Sequence, residues 1–398
     1  MTEWRSYTVG EVAQVFDGPH ATPKKTSSGP WFLSISSLDR GRLNLAESAH
    51  ISEEDFVKWT RRVTPEPGDV LFSYETRLGD AALMPQGVKA CLGRRMGILR
   101  PNRDRVLPRF LLLTYLAPEF QATIRSGAIH GATVDRIPLT ELPRWPIALP
   151  DLSDQAAIVE VLGVLDDKIA VNERIAVTYE QLLKLQAERM GLEDEPDPAI
   201  AAPVTDFVHF SPKVPKPSEE AVYVDMAALS TSRAGIGTWA RREPKGGTRF
   251  VNGDTLLARI TPCLENGKTG YVNFMEDGEI GVGSTEFIVM RSAEGVPSEF
   301  SYFLARSSRF REHAIRNMVG SSGRQRVTAV DAANFHINRP DERLLTEFGE
   351  VASDSFAHMQ SLDRESRILA ALRDTLLPQL MSGKLRVRDA EKIVEDAV

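Results

Sequence analysis

Residues 150–190 read PDLSDQAAIVEVLGVLDDKIAVNERIAVTYEQLLKLQAERM. Steps of four and three from Ile158 pick out Ile158, Leu162, Leu165, Ile169, Asn172, Ala176, Tyr179, Leu183, Gln186 and Met190. Eight of these ten are apolar, and charged residues fill most of the remaining positions. That is the seam of a heptad helix of about 33 residues, roughly 50 Å long. Asn172 and Gln186 interrupt it, and a polar residue in such a seam fixes register at some cost in stability. Asp151 or Ser153 can cap the first turn after Pro150.

A second seam follows with more polar interruptions: Phe348, Val351, Ser355, His358, Leu362, Glu365, Leu369, Leu372, Leu376 and Gln379, with Pro340-Asp341 ahead of it as Pro150-Asp151 precedes the first. Two amphipathic helices on separate cores would be the plainer arrangement. A helix of this length cannot bury its own seam, however, so two in one chain are expected to bury each other.

The segments before the helices also correspond. Gly68-Asp69-Val70-Leu71 matches Gly253-Asp254-Thr255-Leu256, and each is a turn leading into a strand-like run. Arg136 aligns with Arg326, Trp145 with Phe335 and Pro150 with Pro340, all at one constant offset. Charge repeats too: residues 1–150 carry net +3, 151–200 carry −8, 201–340 carry +2 and 341–398 carry −4, within a total of −7. An internal duplication explains this alternation. The expected organisation is a globular domain at 1–150, a long helix at 151–193, an exposed acidic and proline-rich linker at 194–203, a second globular domain at 204–340, a second long helix at 341–385 and a tail at 386–398. Within the domains, residues 70–73, 97–99, 255–260, 271–274 and 286–290 read as strands, and 108–125 and 298–318 as helical.

Several chemistries are excluded by pattern. Cys91 and Cys263 are the only cysteines, too few for a disulfide framework or a cysteine-rich zinc site. The seven histidines show no His-x-x-x-His spacing, so no metal site is expected. There is no P-loop, no strand-anchored Gly-x-Gly-x-x-Gly and no Gly-x-Ser-x-Gly elbow. Asp197-Pro198-Ala199-Ile200 lacks the second proline and the aromatic ring of an amino-methyltransferase motif. No catalytic residue is therefore assigned. No leader or membrane-crossing run is read, and a cytoplasmic setting is expected.

Arginines do cluster. Arg94, Arg95, Arg100, Arg103, Arg105 and Arg109 form one group; Arg306, Arg309, Arg311, Arg316, Arg324 and Arg326 form another at the matching place in the second half. Arginine suits bidentate contact with phosphates and guanine edges. Small polar residues accompany it, with Gly127 to Thr133 before Arg136 and Gly320-Ser321-Ser322-Gly323 before Arg324. The candidate DNA-contacting residues are Arg94, Arg95, Thr133, Arg136, Ser321, Ser322, Arg324 and Arg326. The alternative is a solvated arginine face.

Taken together, PIALPDLSDQ (146–155), VLDDKI (164–169) and NERI (172–175) resemble the central conserved region of the specificity subunits of Type I restriction-modification systems. NGDTLLARITPCLENGK (252–268) and GSTEF (283–287) resemble motifs of their target recognition domains, and LLPQLMSGK (376–384) resembles the end of their distal helix. The distal opening differs, with DERLL (341–345) where a Leu-Ser-Glu-Gln-like run is expected. The resemblance implies an α+β chain of two repeated target recognition domains separated by two long antiparallel coiled-coil helices in a pseudo-two-fold arrangement. It implies double-stranded DNA with a bipartite site as the ligand. It also implies docking of two methyltransferase subunits that carry S-adenosylmethionine, and a restriction and translocase subunit as a further partner. Two readings from other classes stay open at this stage: a protein-interaction scaffold, and an enzyme whose site has no recognised motif.

Overall fold

The computed structural model describes residues 4–19, 21–39, 41–130, 134–217, 219–321 and 323–398. The chain divides into two compact units, one of residues 1–168 with 369–398 and the other of residues 169–368. Each unit therefore holds one domain and a stretch of both long helices.

The first unit opens with β1 (Arg5–Thr8), α1 (Val9–Val12), β2 (Ala13–Asp17) and β3 (Thr26–Leu33). A small hairpin of β4 (Leu38–Asp39) and β5 (Arg42–Leu43) leads to β6 (Ala49–His50) and α2 (Glu53–Trp59). Then come β7 (Val70–Ser73), β8 (Ala81–Leu83), β9 (Ala90–Leu92), β10 (Met96–Pro101), α3 (Pro108–Leu116), α4 (Pro118–Gly127) and β11 (Pro146–Leu149). The long α5 (Leu152–Arg189) follows. The second unit contains β12 (Ala201–Pro203), β13 (Val208–Phe210), β14 (Ala221–Val224), β15 (Ala240–Arg242), β16 (Thr248–Phe250), β17 (Thr255–Ala258), β18 (Thr269–Tyr271), β19 (Gly281–Gly283) and β20 (Phe287–Ser292). It continues through α6 (Phe300–Arg306), α7 (Ser308–Arg316), α8 (Ala329–Ala333) and β21 (His336–Asn338) into α9 (Glu342–Met381). The tail forms α10 (Val387–Glu395).

The duplication holds strand by strand. A four-stranded antiparallel sheet runs β2-β10-β7-β8 in the first unit and β13-β20-β17-β18 in the second. Each domain closes on a two-stranded sheet, β1 with β11 and β12 with β21. The last three residues of the expected linker are thus an edge strand, where Pro203 is tolerated because an edge needs no further donor. β3 pairs parallel with β9, and β14 with β19.

β7 and β17 are buried along their whole length, which is why they read as unbroken apolar runs. Both begin at the Gly-Asp turn. Gly68 and Gly253 take φ of +94° and +90°, which a side chain would strain. The next residue tightens the turn. Asp69 accepts from the Glu66 amide at 2.8 Å, and Asp254 from the Val251 amide at 2.8 Å. The same carboxylates, 2% and 0% exposed, each take two bonds from an arginine on the neighbouring strand, Arg100 and Arg291.

The two expected helical stretches are each broken in two. Ala117 and Ser307 both take extended backbone at ψ of 145° and 141°. Pro118 disfavours helix at the residue before it, and Ser307 instead caps the next helix through the Phe310 amide.

The long helices are capped alike. Asp151 accepts from the Asp154 amide, and Asp341 from the Arg343 and Leu344 amides. Ile158, Leu162, Leu165, Ile169, Asn172 and Leu183 are buried, and Tyr179 is half-buried. In the second unit Asn172 donates to Glu365 at 2.6 Å and Tyr179 meets His358 at 3.1 Å, so the helix segments there run antiparallel. On α9, Phe348, Leu362, Leu369 and Leu376 are buried and Leu372 is half-buried. Val351 is 37% exposed and does not belong to the seam. The step after Phe348 is four residues, so small Ala352 turns inward, followed by Phe356 and Met359. Phe348, Ala352, Phe356 and Met359 share one core with Phe300, Tyr302 and Phe303 of the second globular domain, so this face of the helices packs on a domain as well as on its partner helix.

Candidate nucleic-acid interface

Both units build the same feature at one end of the four-stranded sheet. After β7 the chain pairs once more, Glu75 opposite Arg136, and Arg136 also pairs with Ile129. After β17, Ile260 lies opposite Arg326, and Arg326 also pairs with Val319. Arg136 and Arg326 thus hold equivalent backbone positions, each closing a loop that leaves the second short helix, α4 or α7.

Side chains diverge on this shared frame. In the first unit Arg95, held at φ of +73°, places Nε 3.1 Å from Glu75 and donates from Nη1 to Thr76. In the second unit Glu286 occupies the place before β20 that Arg95 has before β10. Arg326 grips it with Nε at 2.9 Å and Nη2 at 2.7 Å, and Arg259 stands 3.6 Å away. The Arg326 hydrogen bonds, reinforced by both positive charges, hold the Glu286 carboxyl below the usual range despite partial burial.

The expected contact residues therefore separate. Arg94, Arg136 and Arg324 are exposed and make no side-chain hydrogen bond or ion pair among the described residues. Ser321 is exposed, and its carbonyl accepts from the Arg324 amide in a tight turn. Arg95 and Arg326 are engaged by Glu75 and Glu286 and shape the loops that present the free arginines. Thr133 and Ser322 lie outside the described residues.

Most of the remaining clustered arginines hold the fold. Arg100 pairs with Asp69 and Glu66, Arg103 donates to the Pro67 carbonyl, and Arg109 pairs with Asp166. Arg306 and Arg311 tie to the carbonyls of Thr231 and Glu265, Arg309 lies over the Phe335 ring, and Arg316 pairs with Glu312. Sequence clustering overcounts free charge because the partners are far along the chain.

One group was missed. Arg242 and Lys245 are exposed on the stretch from β15 to β16 and line an open cleft of ≈ 730 Å³ together with Tyr223, Ser284 and Thr285. Arg242 stacks on the Tyr223 ring. The run ARREPKGGTR (240–249) was the available signal. Among the described residues no group of three or more His, Cys, Asp or Glu side chains could hold a metal ion, and no helix is long and apolar enough to cross a membrane.

Comparison with known proteins agrees with this architecture. Residues 1–180 match the family model of the Type I restriction modification DNA specificity domain. The specificity subunit of the Type I restriction enzyme EcoAI of Escherichia coli is 31% identical over 190 residues, 44% of this chain and 32% of that protein. The EcoEI specificity subunit of the same organism is 28% identical over 204 residues, 48% of this chain and 34% of that one. The matched stretch thus spans about a third of the length of these relatives. The crystal structure of a Type I restriction-modification S subunit from M. genitalium is similar in fold, with a TM-score of 0.51 at 15% identity over 95% of this chain and 96% of that one. The chain is thus similar through residues 1–180 to the Type I restriction modification DNA specificity domain, and the sheet order of its second half repeats that of the first.

Proposed function

We propose that the chain is the non-catalytic DNA-specificity subunit of a Type I restriction-modification complex. Each unit reads one part of a bipartite duplex target. The long helices set the distance between the parts and dock two methyltransferase subunits, which bring S-adenosylmethionine, with a restriction and translocase subunit as a further partner. The observation that carries this reading is the loop built twice beyond the same four-stranded sheet, with an exposed arginine in each unit, Arg136 or Arg324. Free guanidiniums on a rigid frame suit phosphate and guanine contact. The acidic helices, which need no phosphate contact, account for the net negative charge.

The test is methylome sequencing of a host carrying the chain with a methyltransferase partner. Methylation confined to one bipartite sequence is expected, adenine being the base the family resemblance implies. Methyl transfer by the purified chain alone would contradict the division of roles.

A further inference from the structure

Asp166, on α5 in the first unit, is a meeting point for three guanidiniums from three elements. Arg373 of α9 donates from Nη1 to Oδ1 at 2.9 Å. Arg109 of α3 donates from Nη2 to Oδ2 at 3.1 Å. Arg42 of β5 donates to the Asp166 backbone carbonyl at 2.8 Å and lies 3.9 Å from Oδ1. The carboxylate is 21% exposed and Arg373 is 17% exposed, so these charges are largely withdrawn from water. Gly163, one turn earlier, gives Arg109 room to lie across α5, because a Cβ there would stand 3.3 Å from its Nη1.

A single carboxylate thus ties both helix segments to two separate elements of the recognition domain. Charge-assisted bonds of this kind are short and directional, whereas apolar packing tolerates sliding and rotation. The equivalent seat in the second unit, at the helix offset of the repeat, is Phe356, 3% exposed among Tyr271, Tyr302 and Phe303. At this seat the first domain meets the helix through charge and the second through aromatic packing, the second domain's own charged tie, Arg233 to Asp363 at 3.0 Å, lying elsewhere on α9.

We propose that Asp166 is a positioning residue that fixes the angle of the first recognition domain on its helices, and through it the spacer length the chain accepts. The proposal rests on the bipartite reading above. Asp166→Asn removes the charge at unchanged shape and weakens the ties from Arg373 and Arg109, while Arg373 keeps Asp374 and Arg42 keeps the backbone carbonyl. The domain should then rock on the helices while its reading loop stays intact.

The experiment pairs the full chain with its methyltransferase partner and offers duplexes with both half-sites at the native spacer, one base pair shorter and one longer. Wild type should methylate the native spacer alone. Asp166→Asn should bring the altered spacers about tenfold closer to the native rate, the factor carried by one charge-assisted bond, while still rejecting a changed half-site. Arg109→Gln, which keeps the other two partners, should move the same way by less, and Asp166→Glu should restore discrimination. Equal loss at every spacer, or unchanged discrimination in Asp166→Asn and Arg109→Gln, would overturn the proposal and leave the bipartite reading standing. Wild type that methylates without regard to either half-site would instead refute the bipartite reading, and this proposal with it.

Discussion

Asp254→Asn probes the turn that opens β17 in the second unit. The Asp254 side chain is fully buried and takes Nε and Nη2 of Arg291 at 2.7 Å each, plus the Val251 amide at 2.8 Å. Asparagine keeps the shape but removes the charge and one acceptor. Breaking a buried ion pair from one side costs about 3–5 kcal/mol, mostly for the charge left stranded. The Arg291 side chain is 32% exposed, so water rehydrates part of it and the cost falls near the low end, about 3 kcal/mol. For a unit of about 200 residues that corresponds to about 6–12 °C in melting temperature. Urea and thermal unfolding of Asp254→Asn, Arg291→Ala and the double variant measure it. The double variant should cost less than the sum of the singles, because it strands no charge. The equivalent Asp69→Asn should cost less, since Arg100 keeps Glu66 at 2.9 Å. A shift under about 2 °C, or strictly additive singles, would show that the ion pair does not hold the turn.

Two further outcomes follow from the loops and helices. Arg324→Ala should lower the salt slope of DNA binding by about one, whereas Glu286→Gln should steepen it by about one by releasing Arg326; fluorescence anisotropy against salt reads both, and two unchanged slopes would return these arginines to ordinary surface. Burial raises the Glu180 carboxyl above its ordinary 4.5, against the pull of the Ala234 amide, Arg233 and Arg306. The native state therefore holds that proton more tightly than the unfolded chain, so the second unit loses stability as pH climbs from about 4.5 through the raised value. Glu180→Gln should flatten that decline in urea unfolding, and superimposable curves would contradict it.

Much of the plan was readable from local pattern. The seam from Ile158 to Leu183, the paired Gly-Asp turns and the offset joining Arg136 to Arg326 all depend on spacing, which a sequence displays directly. Val351 was misplaced because hydropathy ranks valine above alanine, while the helix turns Ala352 inward to fit against its neighbours. The state of the arginines was not readable. Glu286 lies 40 residues from Arg326, and Asp166 lies 57 from Arg109 and 207 from Arg373, so only tertiary structure shows which guanidiniums are engaged. The break at Ala117 was signalled by Pro118, whereas Ser307 carries no such marker.

The central claim is that the two units read separate parts of one target. Its most direct measurement exchanges residues 204–340 for the equivalent domain of a relative with a different target and sequences the methylome of the host. The account predicts a bipartite site in which one half is replaced by the donor's and the other half is unchanged. Methylation in which both halves change, or in which neither does, would contradict it.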